Sequence, residues 1–495
     1  MDALPTVNIL WFKRDLRLDD HPPLAAAIDS GLPLFLCYAF EPDIYALEEH
    51  DERHWRFALQ SLREMEERLA AFGARLYILH ANMLEALERL SVHYRICTIY
   101  AHQETGMERT FARDKAIKDF CRKKGVAWRE WDQDGVRRGA QTREGWKTRY
   151  EAMLETPLAQ PDLRRLRALT LPDALARALC ARPLPASWLA PAPDFQPGGE
   201  TYARRYLDDF LYKRSAHYTR HISKPEESRR SCSRLSPYLA YGCLSTRQVW
   251  QASGRAIASG IHAAALRNFQ SRLWWRGHFI QKLESDHRME RLDVNRAFAS
   301  LPRGQDERLF DAWRAGLTGF PMVDACMRCL ARTGYVNFRM RAMLATFWSF
   351  TLWQDWRMGA RYLAQVFLDF EPGIHYSQWQ MQSGTNGYGT LRIYNPMTQS
   401  ERHDPEGVFV RRWVPELQAV PAPLIYRPWA MSPLEQTWYG CVIGRDYPAP
   451  IVNFEEATRQ NKDRYWSFRN SEAVQSLLPG VFRRLCQSKD EGIPQ

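Results

Sequence analysis

The chain has 495 residues, of which 45% are apolar and 25% are charged. This length and composition predict two or three domains with sizeable cores and exclude a disordered or fibrous protein. The net charge is +11, and 57 of the 68 Lys and Arg residues are Arg. Such an Arg excess is typical of a phosphate-binding surface, and equally of a GC-rich genome that encodes Arg in place of Lys.

Several kinds of protein are not expected from this sequence. The residues from Met1 to Pro5 show no signal-peptide pattern. The apolar runs are shorter than the ~20 residues needed to cross a membrane. The ten Cys residues are typical of reduced core positions, and the one CxxC, Cys326 and Cys329, has no second pair beside it. We therefore expect a cytoplasmic monomer with no membrane segment and no metal site.

The first 132 residues alternate short apolar runs with amphipathic stretches. The runs predict strands at 7–12, 33–40, 75–79, 97–101 and 126–131. The amphipathic stretches predict helices at 51–72, 83–93 and 106–124. This alternation predicts an α/β domain over residues 1–132, with a doubly wound, Rossmann-like parallel sheet. The usual phosphate-binding loops, GxGxxG and GxxxxGKS/T, are missing from it, so this sheet need not bind a dinucleotide.

The remainder of the chain divides into a linker and an all-α domain. Residues 133–200 contain a Pro-rich stretch that ends in Gly198-Gly199, which predicts a long interdomain linker. Over residues 201–487 apolar side chains recur at three- and four-residue spacing, which predicts a helical domain. Its predicted helices cover 201–214, 246–258, 262–284, 306–316, 322–332, 336–352 and 359–368.

Four blocks of the helical half combine Arg, aromatic and acidic residues. They are Arg229 to Tyr238, Arg272 to Arg276, Asn337 to Arg341 and Asp369 to Gly384. Ser and Arg ahead of a helix suit a phosphate group, but a capped helix start with solvated Arg explains the first block at least as well. A lone Trp or His in such a block is more often a core residue than a catalyst. Residue types alone therefore indicate a basic, aromatic-rich protein suited to nucleic acid, and no particular reaction.

Taken in order, these blocks and several motifs resemble the photolyase/cryptochrome family. The motifs are Trp11 to His21 (WFKRDLRLDDH), Ser233 to Leu239, Gly319 to Ala325, Asp355-Trp356, Asn395-Pro396, His403 to Gly407 and Arg411 to Leu417. The resemblance covers nearly the whole chain. It implies an N-terminal α/β antenna domain, a linker, and a C-terminal helical catalytic domain that holds FAD.

The resemblance also implies which residues hold the flavin. The positions that match the phosphate and ribose contacts are Tyr218, Ser233, Arg234, Leu235 and Ser236. Arg341 and Asp369 match an ion pair beside the isoalloxazine ring, and Glu371 matches a neighbouring acid. His375 stands where the family has an Asn that faces flavin N5. An imidazole there would influence which reduced form of the flavin persists.

Three tryptophans match the electron-transfer chain of the family. The resemblance implies that Trp379, Trp356 and Trp313, in that order, connect the flavin to the protein surface. A large, oxidisable aromatic ring that packs among apolar groups suits this role.

The substrate side departs from the family pattern. Trp275 matches one of two tryptophans that sandwich the lesion, while Met381 replaces the other. Arg272 replaces a Glu that contacts the damaged bases, and Arg339 joins it as a basic residue expected at the rim. Enzymes that repair (6-4) photoproducts are expected to carry His where this chain has Phe338 and Ala342, so these changes do not convert the site into the (6-4) type. The departures from the cyclobutane pattern nevertheless leave the lesion preference open between cyclobutane and (6-4) types.

The implied activity is light-driven repair of UV-damaged DNA, double- or single-stranded. Excited reduced FAD donates an electron to a flipped-out cyclobutane pyrimidine dimer, which splits into monomers. The alternatives are a cryptochrome-like blue-light photoreceptor, (6-4) photoproduct repair, and repair confined to single strands. The sequence shows no long polar tail after Leu417, which favours the enzyme over the receptor. The stretch from His102 to Arg109 lies at the antenna position but matches neither the folate nor the deazaflavin pattern of an antenna chromophore.

Overall fold

The computed structural model describes residues 4–140, 142–389 and 391–486. Its N-terminal part is a five-stranded parallel sheet with strand order β3-β2-β1-β4-β5. The strands are β1 (Thr6–Phe12), β2 (Leu34–Ala39), β3 (Leu76–Leu79), β4 (Arg95–His102) and β5 (Ala127–Trp131). The helices of this part are α1 (Pro22–Asp29), α2 (Pro42–Tyr45), α3 (Glu52–Ala70), α4 (Met83–His93) and α5 (Glu108–Lys124). The predicted parallel α/β fold is confirmed, while α1 and α2 were not predicted.

Side chains alternate between the two faces of the sheet, as the period of a strand requires. Ile9 and Trp11 of β1 belong to a core cluster with Leu87 of α4. Leu10 and Phe12 belong to the cluster on the opposite face, which extends into the helical half of the chain. One face of the sheet is therefore covered by its own helices, and the other helps to hold the two halves of the molecule together.

The segment predicted as a linker is anchored on both sides. It contains α6 (Trp146–Glu155) and α7 (Asp173–Leu179). Leu175 of α7 lies in the core of the sheet, whereas the hydroxyl of Tyr150 in α6 donates to the carbonyl of Leu273 at 2.7 Å in the helical half. The outer limits predicted for the first and last domains, residues 1 and 487, lie outside the described residues.

The C-terminal part is helical, as predicted. Its helices are α8 (Glu200–Tyr212), α9 (Tyr218–His221), α10 (Ser228–Ser231), α11 (Ser236–Ala240), α12 (Thr246–Ala258), α13 (Ala263–Ser285), α14 (Glu307–Ala315), α15 (Pro321–Thr333), α16 (Phe338–Thr346), α17 (Trp356–Val366), α18 (Pro372–Gln382), α19 (Pro396–His403), α20 (Val408–Trp413), α21 (Pro433–Trp438), α22 (Phe454–Arg469) and α23 (Glu472–Leu485). The helix predicted over 336–352 is in fact α16 followed by a π-helical turn, Phe347–Thr351. Within the parts of the chain that the structure describes, no helix combines the length and hydrophobicity of a membrane span.

Helices α13 and α18 approach each other closely at a glycine. A Cβ atom on Gly373 would lie 2.6 Å from the Cα of Ile280, so a larger residue would push the helices apart. Because α13 carries Trp275 and α18 carries His375 and Trp379, this contact fixes the spacing between two walls of the site described below.

The N-terminal motif from Trp11 to His21 joins the two halves. Arg14 donates to the carbonyls of Ala240 at 2.9 Å and Phe370 at 2.8 Å. Arg17 is 1% exposed and donates to the carbonyl of Gly242 at 3.0 Å. A buried guanidinium is stable only when its N–H groups are paired. These hydrogen bonds therefore hold the sheet against the segment from Ala240 to Gly242 in the helical half.

Candidate functional site

A cavity of about 860 Å³ lies in the helical half, at the upper end of the range typical of ligand sites. Most of the predicted site residues line it. They are Tyr218, Ser233, Arg234, Leu235, Ser236, Arg272, Trp275, Arg341, Asp369, Glu371, His375, Trp379 and Met381. Three predicted residues, Trp313, Arg339 and Trp356, do not line it.

Arg341 and Asp369 form a bidentate ion pair at the cavity wall. Nη1 and Nη2 of Arg341 donate to the two carboxylate oxygens of Asp369, each at 2.9 Å. Burial alone would raise the pKa of Asp369, but the charge and hydrogen bonds of Arg341 hold it below its ordinary value. The Arg341 guanidinium also lies 4.1 Å from the ring centroid of Phe367. The pair is therefore ionised and rigid, and it presents a fixed dipole to a ligand.

The predicted phosphate loop has an unusual backbone. Arg234 adopts a left-handed conformation with φ of 58°, which few non-glycine residues do. Its guanidinium stacks 3.8 Å from the ring centroid of Tyr335 and donates twice to Oε1 of Gln196, at 2.7 and 3.1 Å. Gln196 comes from the predicted linker and was missed by the sequence analysis, because no local pattern connects it to this loop.

Glu371 is held by two arginines that were not predicted as its partners. Its Oε2 lies 3.1 Å from Nη2 of Arg276 and 3.4 Å from Nη2 of Arg14. Since Arg14 belongs to the N-terminal motif and Arg276 to α13, the carboxylate connects the sheet to the cavity wall. The network supports both the domain contact and the shape of the site.

His375 is buried in α18 and neutral near pH 7. Burial lowers its pKa to about 4, and the nearby charge of Arg341 contributes in the same direction. Its Nε2 lies 2.8 Å from the carbonyl oxygen of Ala360, which can only accept, so Nε2 carries the proton. Nδ1 is then a hydrogen-bond acceptor at the cavity.

One of the three predicted tryptophans lines the cavity. Trp379 lines the cavity, and Trp356 donates its indole N–H to Oδ1 of Asp293 at 2.8 Å. Trp313 is 0% exposed, so it cannot be the surface end of a chain, and this part of the prediction is wrong. The ring of Trp313 instead lies 5.0 Å from that of Trp348.

Trp348 was missed by the sequence analysis. A Cβ atom on Gly359 would lie 2.6 Å from Cδ1 of Trp348 and 2.7 Å from Cη2 of Trp379, so both rings pack on the same glycine. The indole N–H of Trp348 donates to the carbonyl of Asp355 at 2.7 Å. The structure therefore brings Trp379, Trp348 and Trp313 together as one cluster. A Trp inside the predicted 336–352 helix gave no signal that set it apart from a core residue.

The substrate residues lie toward the mouth of the cavity. Trp275 stacks on Phe279 with 5.5 Å between ring centroids, forming an aromatic wall. Met381 is 37% exposed and Phe338 is 53% exposed, so the rim is apolar as well as basic. Arg339 is half-buried and lies outside the cavity, with its guanidinium 5.5 Å from the ring centroid of Tyr394.

A second cluster of titratable groups lies in the N-terminal half. Oδ2 of Asp15 lies 2.9 Å from Nε2 of His21 and 2.7 Å from Nδ1 of His102, and all three residues are buried. The backbone N–H of Leu24 donates to Nδ1 of His21, so the proton of that ring is on Nε2 and points at Asp15. In this arrangement Nε2 has no lone pair for a metal, and the cluster is a hydrogen-bonded structural one.

Comparisons with known proteins agree with this two-part architecture. Residues 8–150 match the family model for DNA photolyase, and residues 269–467 match that for the FAD binding domain of DNA photolyase. Cryptochrome DASH of Synechocystis sp. is 28% identical, over 93% of this chain and 98% of the relative. Deoxyribodipyrimidine photo-lyase of Alkalihalophilus pseudofirmus is 28% identical, over 92% and 97%. The crystal structure of a Synechocystis cryptochrome superposes with a TM-score of 0.84 at 26% identity, over 94% of this chain and all of that one.

The sheet and the helical cavity define a flavoprotein with a Rossmann-like N-terminal domain. The chain belongs to the photolyase/cryptochrome family, and its cofactor is FAD. The residues at the cavity fit this cofactor, because an ionised Arg341–Asp369 pair, a Ser- and Arg-bearing loop and an imidazole acceptor suit a flavin ring and a diphosphate.

Proposed function

We propose that this chain is a light-driven DNA repair enzyme, a deoxyribodipyrimidine photo-lyase that splits cyclobutane pyrimidine dimers. The observation that carries this proposal is a single cavity that joins the Arg341–Asp369 pair to the aromatic wall of Trp275 and Phe279. A base in a duplex cannot reach such a cavity, so the dimer has to flip out of the helix.

The chemistry that bound FAD would supply is light-driven transfer of an electron to the dimer and the return of that electron to the flavin after the ring has split. Tyr218 and the loop from Ser233 to Ser236 would hold its phosphates and ribose. The Arg341–Asp369 pair would lie at the ring. His375, neutral near pH 7, would offer Nδ1 as an acceptor to a flavin N–H, which a protonated imidazole could not do.

The other residues of the site would bind the DNA. Trp275 offers a flat ring on which one base of the dimer stacks, a contact worth about 1–3 kcal/mol per base. Arg272 and Arg339 would bind backbone phosphates at the rim, in keeping with the net charge of +11. Opening a cyclobutane ring requires no proton, so the site needs no general acid.

The test is repair of defined lesions by the chain loaded with FAD. Double- and single-stranded oligonucleotides, each with one cyclobutane dimer or one (6-4) photoproduct, are irradiated with blue light and chemically reduced protein, and the products are separated by chromatography. We expect reversal of the cyclobutane dimer in light and none in the dark. Trp275→Ala should weaken repair, whereas Trp438→Ala, at a residue that is 69% exposed and does not line the cavity, should not.

A second candidate is a blue-light photoreceptor, which the relatives named cryptochrome favour. That function predicts flavin photochemistry without reversal of any lesion. Reversal of (6-4) photoproducts alone would show that the substrate is that lesion and not the cyclobutane dimer. Reversal confined to single-stranded DNA would restrict the proposed substrate to dimers in single strands.

A further inference from the structure

One cationic residue of the cavity has no role in the proposal above. Lys282 of α13 lines the cavity, ten residues after Arg272 and seven after Trp275. Spacings of three, four and three residues place Arg272, Trp275, Phe279 and Lys282 on one face of the helix. The aromatic wall therefore has a guanidinium at one end and an ammonium at the other.

Within the described ranges of the chain, the surroundings of Lys282 provide no carboxylate partner for its charge. Its Nζ donates to the hydroxyl of Tyr388 at 3.3 Å and lies 5.5 Å from the ring centroid of Phe279. Among the residues that the structure describes, no carboxylate oxygen lies within 4.0 Å of this ammonium. A partly buried cation without such a partner is costly, and an ammonium has three N–H groups, of which Tyr388 accepts from one.

The choice of residue at this position also differs from the rest of the chain. The sequence has 57 Arg and only 11 Lys, and the basic residues at the rim are Arg. A guanidinium suits phosphate, because it binds two oxygens at once, whereas a compact ammonium is a point donor to a single oxygen. Lys282 is therefore suited to one acceptor atom rather than to a phosphate group.

We propose that Lys282 is a specificity residue that donates a hydrogen bond to a ring carbonyl oxygen of the damaged pyrimidine stacked on Trp275. This inference rests on the proposed function. A pyrimidine ring lying on the Trp275–Phe279 wall carries its carbonyl oxygens at its edge, where a donor at the end of the wall can reach one. Lys282 thus adds affinity for a dimer that has flipped into the cavity, whereas an undamaged base that stays paired in the duplex does not reach it.

The experiment measures binding in the dark, so that it is independent of repair. The affinities of the FAD-loaded chain for a duplex with one cyclobutane thymine dimer and for the same duplex undamaged are determined by fluorescence anisotropy. Lys282→Met should reduce the ratio of the two affinities by about 10- to 100-fold, the range for a lost hydrogen bond to a charged group. Lys282→Arg, which keeps a positive charge, should retain part of the preference for the damaged duplex. Lys462→Met, at an exposed position of α22, should leave it unchanged.

The salt dependence separates a base contact from a phosphate contact. If Lys282 binds a phosphate, Lys282→Met weakens both duplexes equally and lowers the slope of log affinity against log salt by about 1. That result would overturn the proposal. If it binds a base carbonyl, the slope stays the same and only the damaged duplex loses affinity.

The pH dependence gives an independent readout. Burial, together with the charge of Arg143, lowers the pKa of Lys282 to about 8. The groups that face it do not titrate with it, because burial raises the pKa of Tyr388 and of Cys486 and holds that of His278 well below its usual value. The preference for damaged DNA should fall as the pH rises through about 8 in the unaltered chain, and should not change in Lys282→Met.

The outcomes distinguish this inference from the proposed function. An unaltered chain with no preference for the damaged duplex would overturn both. A preference that survives Lys282→Met, with its pH dependence intact, would overturn the role of Lys282 and leave the repair function standing.

Discussion

The two halves of the molecule use charged residues in opposite ways. In the N-terminal half, Arg113 is surrounded by Glu41, Glu104 and Asp114 at 2.6 to 2.8 Å. The cavity that borders Glu104 measures only about 30 Å³. In the helical half, Arg341 and Asp369 are paired as well, but they face a cavity of about 860 Å³ that also holds the ammonium of Lys282.

The difference lies in whether the charges are directed at each other or at a ligand. Arg113 and its three acids satisfy one another, so they stabilise the fold and leave little room. The stretch from His102 to Arg109 lies beside this network, and binding of a folate or deazaflavin antenna there stays a prediction. Four substitutions test this difference between the two halves, and their expected effects on free energy decrease from Arg113→Ala to Trp356→Phe.

Arg113→Ala should have the largest effect, and on stability alone. It leaves three carboxylates together, of which Glu41 and Asp114 are buried, and removing one partner of a buried ion pair costs about 3–5 kcal/mol. Chemical denaturation measures this loss, and the FAD content of the folded protein should stay the same. The control is Arg109→Ala, whose pair with Asp43 is exposed and contributes about 0–1 kcal/mol. Loss of FAD in Arg113→Ala would contradict the distinction between the two halves.

Asp369→Asn should act on the cofactor. It removes the carboxylate that accepts both N–H groups of Arg341 and leaves the guanidinium unpaired at the cavity. A charged hydrogen bond contributes about 1.5–3 kcal/mol, so the affinity for FAD should fall by about 10- to 100-fold in a fluorescence titration of the apoprotein. Asp311→Asn, which alters an exposed pair with Arg314, serves as the control. An unchanged FAD affinity would show that the pair is structural, as in the N-terminal half.

His102→Gln should change how stability depends on pH. Burial lowers the pKa of His102 to about 3, so between about pH 6 and pH 4 the unfolded chain binds a proton that the folded chain does not. The free energy of unfolding therefore decreases as the pH falls, and this residue contributes up to ~1.4 kcal/mol per pH unit. The substitution should reduce the slope by that amount in denaturation at pH 6, 5 and 4. His93→Gln, at an exposed position of α4, should not reduce it.

Trp356→Phe should have the smallest effect in free energy. It removes one hydrogen bond to Asp293, which keeps Arg357 at 3.1 Å, so the unfolding free energy should fall by only about 1 kcal/mol. It should slow photoreduction of the flavin, followed by absorbance, while repair by chemically reduced protein continues. Equal rates of photoreduction in Trp356→Phe and the unaltered chain would contradict a role for Trp356 in electron transfer. They would favour Trp348, which packs beside Trp379, as the next tryptophan of the path.

The sequence by itself determined the fold class and the secondary structure of its most strongly periodic segments. Strand and helix periods are local properties, so the sheet, α3 to α5, α8 and α12 to α17 follow from the spacing of apolar residues. The break at Phe347–Thr351 did not, because a π-helical turn depends on packing around it. The ordered motifs were also enough to identify most of the residues that line the cavity.

Only the tertiary structure decided which side chains meet. Gln196 reaches Arg234 from the linker, and Arg14 reaches Glu371 from the sheet, across segments that share no local pattern. Burial of Trp313 against Trp348 depends in the same way on how α14 packs against the π-helical turn that follows α16. The role proposed for Lys282 depends likewise on tertiary packing, which places its ammonium beside Phe279 and Tyr388 in the cavity. Such partners are set by packing between distant segments, which the period of a helix or strand does not encode.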